Sequence, residues 1–343
     1  MTKHICFIII IKHIGLVYID SQENIEQRIS TPLFESLDQT RRRDPMACTD
    51  IKSDPRFEKI SNMHPCFGAK ANTTRGRVHL PVSPACNIQC RFCKRCFNKS
   101  EQRPGVSSRL LTPEQAADLF DKALAICPEI TVAGIAGPGD TLATPHALET
   151  FRLIHKRHPG IINCLSTNGL LLDRFAHELI DAGVRTITVT VNAVDAGVLS
   201  RICSQIVLDG KLYIELKAAE LLIEAQKRGI RKAAELGAVV KINVVLIPGV
   251  NDFHISEIAR TTSELGAALI NIIPLIPQHE FAGHEAPTCT QLNAAREAAE
   301  EFLPVFRHCR HCRADACGIP GRSDLSSLLY EGSRPIEETF SHG

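Results

Sequence analysis

Residues 85–96 read ACNIQCRFCKRC, with four cysteines between positions 86 and 96, just after the apolar run VHLPV at 78–82. Cys86, Cys90 and Cys93 form C-x3-C-x2-C. On so compact a loop, three thiolates can wrap three irons of a cubane cluster and leave the fourth iron open to a small molecule. A structural zinc site instead wants paired C-x2-C units ~15–20 residues apart, and Cys93-x2-Cys96 has no such partner pair close by. A zinc site completed by a distant ligand, or a loop that gathers cysteines by chance, are the competing readings. Cys86, Cys90 and Cys93 thus read as one iron–sulfur site, and Cys96 stands apart from it.

Outward from this loop, short apolar runs alternate with helical patterns. Strands are expected at 78–82, 130–135, 161–166, 186–191, 239–247 and 268–276, and helices are expected to open at Thr112-Pro113, Thr144-Pro145 and Asp252. Repeated βα units of this spacing favour a parallel sheet, so the expected fold class is α/β, a partial or complete (βα) barrel. In such barrels the chemistry sits at the C-terminal ends of the strands. Cys86, Gly137 to Asp140, Cys164 to Asn168, Asn192 and Pro248 to Asp252 all follow strands, and are expected to share one face.

The whole chain agrees with an enzyme that handles thiolate-bound metal. Its 343 residues are 44% hydrophobic with a formal net charge of +1, enough for a large core and too neutral to draw nucleic acid or an anionic membrane. Fourteen cysteines without a clear secretory signal point to thiolate ligation in a reducing cytoplasm rather than to disulfides. The apolar stretch ICFIIIIKHIGLVYI (5–19) is interrupted by Lys12 and His13 and falls short of the ~20 residues of a spanning helix. Residues 1–62 read as an extension and linker, 63–285 as the barrel, 286–320 as a helix and cysteine-containing tail, and 321–343 as a flexible end.

The C-x3-C-x2-C motif with Phe92 before its third cysteine resembles the radical S-adenosylmethionine (SAM) superfamily. HPC (64–66), PACNIQCRFC (84–93), RPGV (103–106), GIAGPGD (134–140), STNG (166–169), IPGVND (247–252) and RHCRHCRADACG (307–318) follow in order. Together they resemble the NifB family over about residues 63–320. The resemblance implies a [4Fe-4S] cluster on Cys86, Cys90 and Cys93 whose open iron chelates SAM. It puts Gly137, Gly139 and Asp140 at the methionine amino group, and Asn168 and Asn192 at polar contacts to SAM. Pro248 and Gly249 fall at the backbone contact to adenine, with Phe92 nearby.

It also implies two auxiliary [4Fe-4S] clusters, fused as substrates around a SAM-derived carbon, with added sulfur, into the iron–sulfur–carbide precursor of the nitrogenase cofactor. Cys66, His79 and Cys164 match one auxiliary site and Cys309 and Cys312 the other. A neutral histidine is a weaker iron ligand than a thiolate, which suits a cluster that must leave. The family's further cysteine, about six residues past the motif, falls here at Asn98 or Lys99; Cys96 is the expected replacement and Cys317 its competitor. Implied partners are iron–sulfur cluster donor and electron donor proteins and a separate cofactor carrier. Alternatives are another radical SAM enzyme with auxiliary clusters, acting on a peptide or small molecule, and a non-catalytic metal-binding scaffold.

Overall fold

A computed structural model describes residues 55–330. Seven strands form the main sheet: β1 (Gly76–His79), β2 (Ile130–Ile135), β3 (Ile162–Thr167), β4 (Val184–Thr190), β5 (Val239–Leu246), β6 (Leu269–Pro274) and β7 (Cys317–Gly318). Their order is β6-β5-β4-β3-β2-β1-β7. β1 to β6 pair in parallel, each beside its predecessor, and β7 closes the β1 edge antiparallel, with Arg77 opposite Gly318 and Val78 opposite Cys317. β6 and β7 do not pair with each other, so the sheet is an open half-barrel.

The strands lie where the apolar runs put them. β2, ITVAGI, is buried at every position, as a parallel strand covered on both faces must be. β3 alternates instead: Asn163, Leu165 and Thr167 are buried while Cys164 and Ser166 are half-buried, and both of these line the barrel cavity. β1 is displaced from the expected 78–82 to Gly76–His79, because Pro81 carries no N–H for a ladder.

Helix Pro113–Ile126 opens on the expected signal: the Thr112 side chain accepts from Gln115 N, and the Gln115 side chain returns to the Thr112 N–H. Thr144 does not cap the next helix, His146–Arg157; its hydroxyl meets the His146 ring at 3.0 Å instead. Asp252 begins a 3-10 turn, Asp252–His254, that leads into helix Ile255–Glu264. The principal core lies between the sheet and its helices, with Phe120, Phe151, Ile154 and Leu179 fully buried. Phe120→Ala is expected to cost about 3–5 kcal/mol in anaerobic denaturant unfolding.

Three features lay outside the expected pattern. A hairpin, Cys203–Leu208 and Lys211–Ile214, adds a three-stranded antiparallel sheet whose third member is Ile88–Cys90 of the cysteine loop. A helix of 21 residues, Glu215–Glu235, follows it. A two-stranded pair joins Cys96–Phe97 to Val106–Ser107.

The end of the expected N-terminal extension, 55–62, belongs to helix Pro55–Met63, whose Ile60 joins Phe67, Val239, Leu269 and Phe306 in a small core. Of the expected flexible end, Tyr330 is buried and its hydroxyl bonds His79 O at 3.3 Å. The apolar stretch 5–19 and residues 331–343 lie outside the described residues. Among the described residues no helix is long and apolar enough to cross a membrane.

Candidate active site

The loop after β1 is held from two sides. Its strand Ile88–Cys90 pairs with the hairpin, and Val207 N donates to Asn87 O at 2.8 Å and Arg91 N to Ile202 O at 2.8 Å. Opposite, Gly139 N donates to Ser83 O at 2.9 Å and Asp140 N to Ala85 O at 2.8 Å. This approach explains the glycine, since a Cβ on Gly139 would stand 2.0 Å from Ala85 O. Cys86, Cys90 and Cys93 all line one cavity of about 370 Å³ inside the half-barrel, within the usual range for a small-molecule site.

All three thiols are held above the ordinary thiol range. Burial, followed by the nearby Asp140 charge, pushes the Cys86 thiol up to about 12. A hydrogen bond with Cys203, and then burial, hold Cys90 well above the usual thiol range, and burial raises Cys93. Such thiols keep their protons at neutral pH until a bound metal displaces them. Among the described residues no three His, Cys, Asp or Glu side chains close on a point as one mononuclear ion requires. A cubane asks instead for thiolates spaced around a void, and the three cysteines line one.

Around that loop the sequence-derived residues divide into organisers and lining groups. Asp140 lines the cavity, but its carboxylate is already engaged, accepting from Leu142 N (2.9 Å), Asn168 N (2.6 Å) and the Thr167 hydroxyl (3.0 and 3.1 Å). It therefore ties the β2 and β3 loops together. Asn168 donates to Asn87 Oδ1 at 2.7 Å and stands 3.9 Å from Cys86 Sγ, so it braces the cysteine loop. Asn192 lines the cavity and accepts from Val245 N at 2.9 Å. Phe92 lines it too, packed against the hairpin core.

Gly137, at φ +119°, shapes its turn without lining the cavity. Pro248 and Gly249 are likewise outside the lining; Gly249 sits at φ +71° and its carbonyl accepts from Arg201.

Cys203 and Gln226, which local pattern missed, and Asn251, inside the expected Pro248 to Asp252 segment, support this end. Cys203 is the register partner of Cys90. Gln226, on helix Glu215–Glu235, donates to Asn168 O (2.7 Å) and Thr190 O (2.9 Å), leaving its buried Oε1 without a protein partner. Asn251 is fully buried and holds the β5 loop through Asn192 O, Val245 O and Ile247 N. The capacity of Gln and Asn to bond buried backbone was the available signal, but a lone amide in a sequence does not announce it.

The same cavity is lined by a further set of donors. Cys66, His79, Cys164 and Cys312 all line it, and Cys66 lies within electrostatic reach of both Cys164 and Cys312. The Cys66 thiol is pushed up to about 12 by burial. His79 Nδ1 meets Arg313 O at 2.9 Å. A carbonyl only accepts, so Nδ1 carries the proton and Nε2 keeps its lone pair. Burial, then Arg77, lower the His79 pKa to about 4, which keeps the ring neutral. His64, which accepts from Cys66 N at 3.0 Å, is a further buried lining residue.

Cys309 also lines the cavity, at its exposed edge. Cys96 does not: its Sγ accepts from Arg103 at 3.4 Å and the residue belongs to the short pair beside the loop. Cys317 lies in β7 within the principal core, close to Cys127. The structure thus brings Cys312 to Cys66, and neither Cys96 nor Cys317 to the lining.

An open half-barrel with three cysteines on the loop after its first strand defines a class. The profile of the Radical SAM superfamily matches residues 80–262, and the chain belongs to that superfamily, whose members use SAM and a [4Fe-4S] cluster. The FeMo cofactor biosynthesis protein NifB of Methanocaldococcus infernus is 46% identical over 278 residues, 80% of this chain and 92% of that one. The protein of the same name from Methanocaldococcus jannaschii is 44% identical over 294 residues, 84% of this chain and 98% of that one. That of Klebsiella pneumoniae is 43% identical over 266 residues, 75% of this chain but 57% of the longer relative. The chain is a member of the NifB family.

Proposed function

We propose that this protein is a radical SAM enzyme of nitrogenase cofactor biosynthesis, which fuses two [4Fe-4S] substrate clusters with a SAM-derived carbon and added sulfur. The observation that carries the reading is one cavity lined by the three cysteines of the loop, by Cys66, His79 and Cys164, and by Cys309 and Cys312. Cys86, Cys90 and Cys93 would hold the resident cluster, which when bound supplies the electron that cleaves SAM. Asp140, Asn168 and the hairpin fix the loop that carries them. Asn192 and Gln226 offer polar groups at the same end. Neutral His79, with Nδ1 tied to Arg313 O, presents a ligand that can be released. In this reading the enzyme works in the cytoplasm, with separate proteins donating iron–sulfur clusters and electrons and a carrier removing the product.

Anaerobic reconstitution with SAM tests this directly. The expected outcome is uptake of ~12 Fe per chain, with 5′-deoxyadenosine, S-adenosylhomocysteine and a fused iron–sulfur product. Replacing Cys309 and Cys312 together by Ser is expected to lower iron by ~4 Fe and stop product formation while SAM cleavage persists. Product formation by that double variant would refute a substrate site at the pair.

A further inference from the structure

The chain carries a net charge of only +1, yet its cavity is strongly cationic. Among the described lining residues are Arg77, Lys94, Arg95, Arg103, Lys241 and Arg310, against Asp140 as the one carboxylate. Two of these cations are set deep among the second donor set. Arg77, 6% exposed on β1, donates from Nη2 to Cys312 Sγ at 3.0 Å and from Nη1 to Gly318 O at 2.6 Å. Lys241, 5% exposed on β5, donates to Cys66 O at 3.1 Å, with its ammonium 4.8 Å from the Phe67 ring centroid and 5.5 Å from that of Phe306.

Burying a charge is costly without a counter-charge. Buried Arg313 has one, Asp315 at 2.8 Å, but neither Arg77 nor Lys241 has a carboxylate partner among the described residues. An anion bound in the cavity would supply that counter-charge. A thiolate-ligated cubane is an anion, and two of them side by side repel each other more strongly in a low-dielectric interior than in water. The reach of Lys241 to Cys66 and Cys164, and of Arg77 to Cys66 and Cys312, spans the ground between two such ligands.

We infer that Arg77 and Lys241 are the fixed counter-cations that let two anionic iron–sulfur clusters occupy adjacent positions in this cavity, positioning them for fusion. The inference rests on the proposed function, since it takes the auxiliary clusters to be bound here. The cations touch no SAM ligand, so their removal leaves the cluster on Cys86, Cys90 and Cys93 in place.

The test is anaerobic reconstitution of the full chain with ferrous iron and sulfide, without SAM, followed by iron analysis and EPR-monitored redox titration. Lys241→Met keeps an apolar stem between Phe67 and Phe306 and removes only the charge. Lys241→Met and Arg77→Gln are each expected to lose ~4 Fe of ~12 and to shift the remaining auxiliary cluster to a more negative potential. Lys241→Arg and Arg77→Lys restore both iron and potential. Arg77 also holds Gly318, so if Arg77→Gln fails to fold, Lys241→Met and its arginine counterpart decide. Unchanged iron and potential in Lys241→Met would overturn the inference while leaving the proposed function standing. Uptake of only ~4 Fe by the unmodified chain would overturn both.

Discussion

Cys90→Ala is expected to abolish SAM cleavage and to remove about one cubane, ~4 Fe per chain, while leaving the half-barrel folded. Cys90 ends a short strand whose attachment to the hairpin runs through backbone hydrogen bonds that alanine retains, so far-UV circular dichroism is expected to match the unmodified protein. With one of three thiolates gone, the loop cannot retain a cubane with a single open iron. Cys203→Ala supplies the contrast. Its thiol adjoins Cys90 but belongs to the hairpin, and the three-cysteine set survives its loss, so iron content and 5′-deoxyadenosine formation are expected to persist. Deoxyadenosine from Cys90→Ala at the unmodified rate would rule out the radical assignment of this loop.

Gly139→Ala is expected to damage the site through backbone alone. The added methyl would meet Ala85 O at 2.0 Å, Ala85 C at 2.5 Å and Ser83 O at 2.9 Å. All three are main-chain atoms of the cysteine loop, which cannot turn aside as a side chain can. Relief requires the two loops to separate, breaking the bonds from Gly139 N to Ser83 O and from Asp140 N to Ala85 O. Overpacking costs about 1–3 kcal/mol, and a clash with immovable backbone belongs at the upper end, which lowers Tm by roughly 6–12 °C. Anaerobic calorimetry and equilibrium SAM binding measure the two effects. Gly160→Ala is the control, because nothing lies within 4 Å of its Cβ position, and it should match the unmodified protein in both.

The elements that could be read from the chain are those whose cause is local. β2 is found at its expected bounds and β3, β4, β5 and β6 within a few residues of theirs, because short apolar runs rich in β-branched residues advertise themselves without reference to any partner. The Thr112 cap is local in the same sense, three residues from its partner Gln115. So is the cysteine loop, where spacing alone sets which thiols can share one cluster, and the ordered motifs around it carried the family.

Tertiary structure decided whatever depends on contacts between distant segments. Cys203 meets Cys90 only because residues 203–214 fold back as a hairpin onto the cysteine loop, a pairing that no periodicity in either segment encodes. Cys96, close to Cys93 in sequence, is turned from the cavity by its pairing with Val106 and its bond from Arg103. Cys317 is drawn into the core by its place opposite Val78. Arg77 and Lys241 sit on strands with three others between them in the sheet, and only its curl gathers both into the cavity wall. The sequence by itself determined the half-barrel strands and the three-thiol loop, since local sterics and burial specify them. The surroundings of each remaining thiol, and the charge that faces them, followed only from how the sheet closes around its interior.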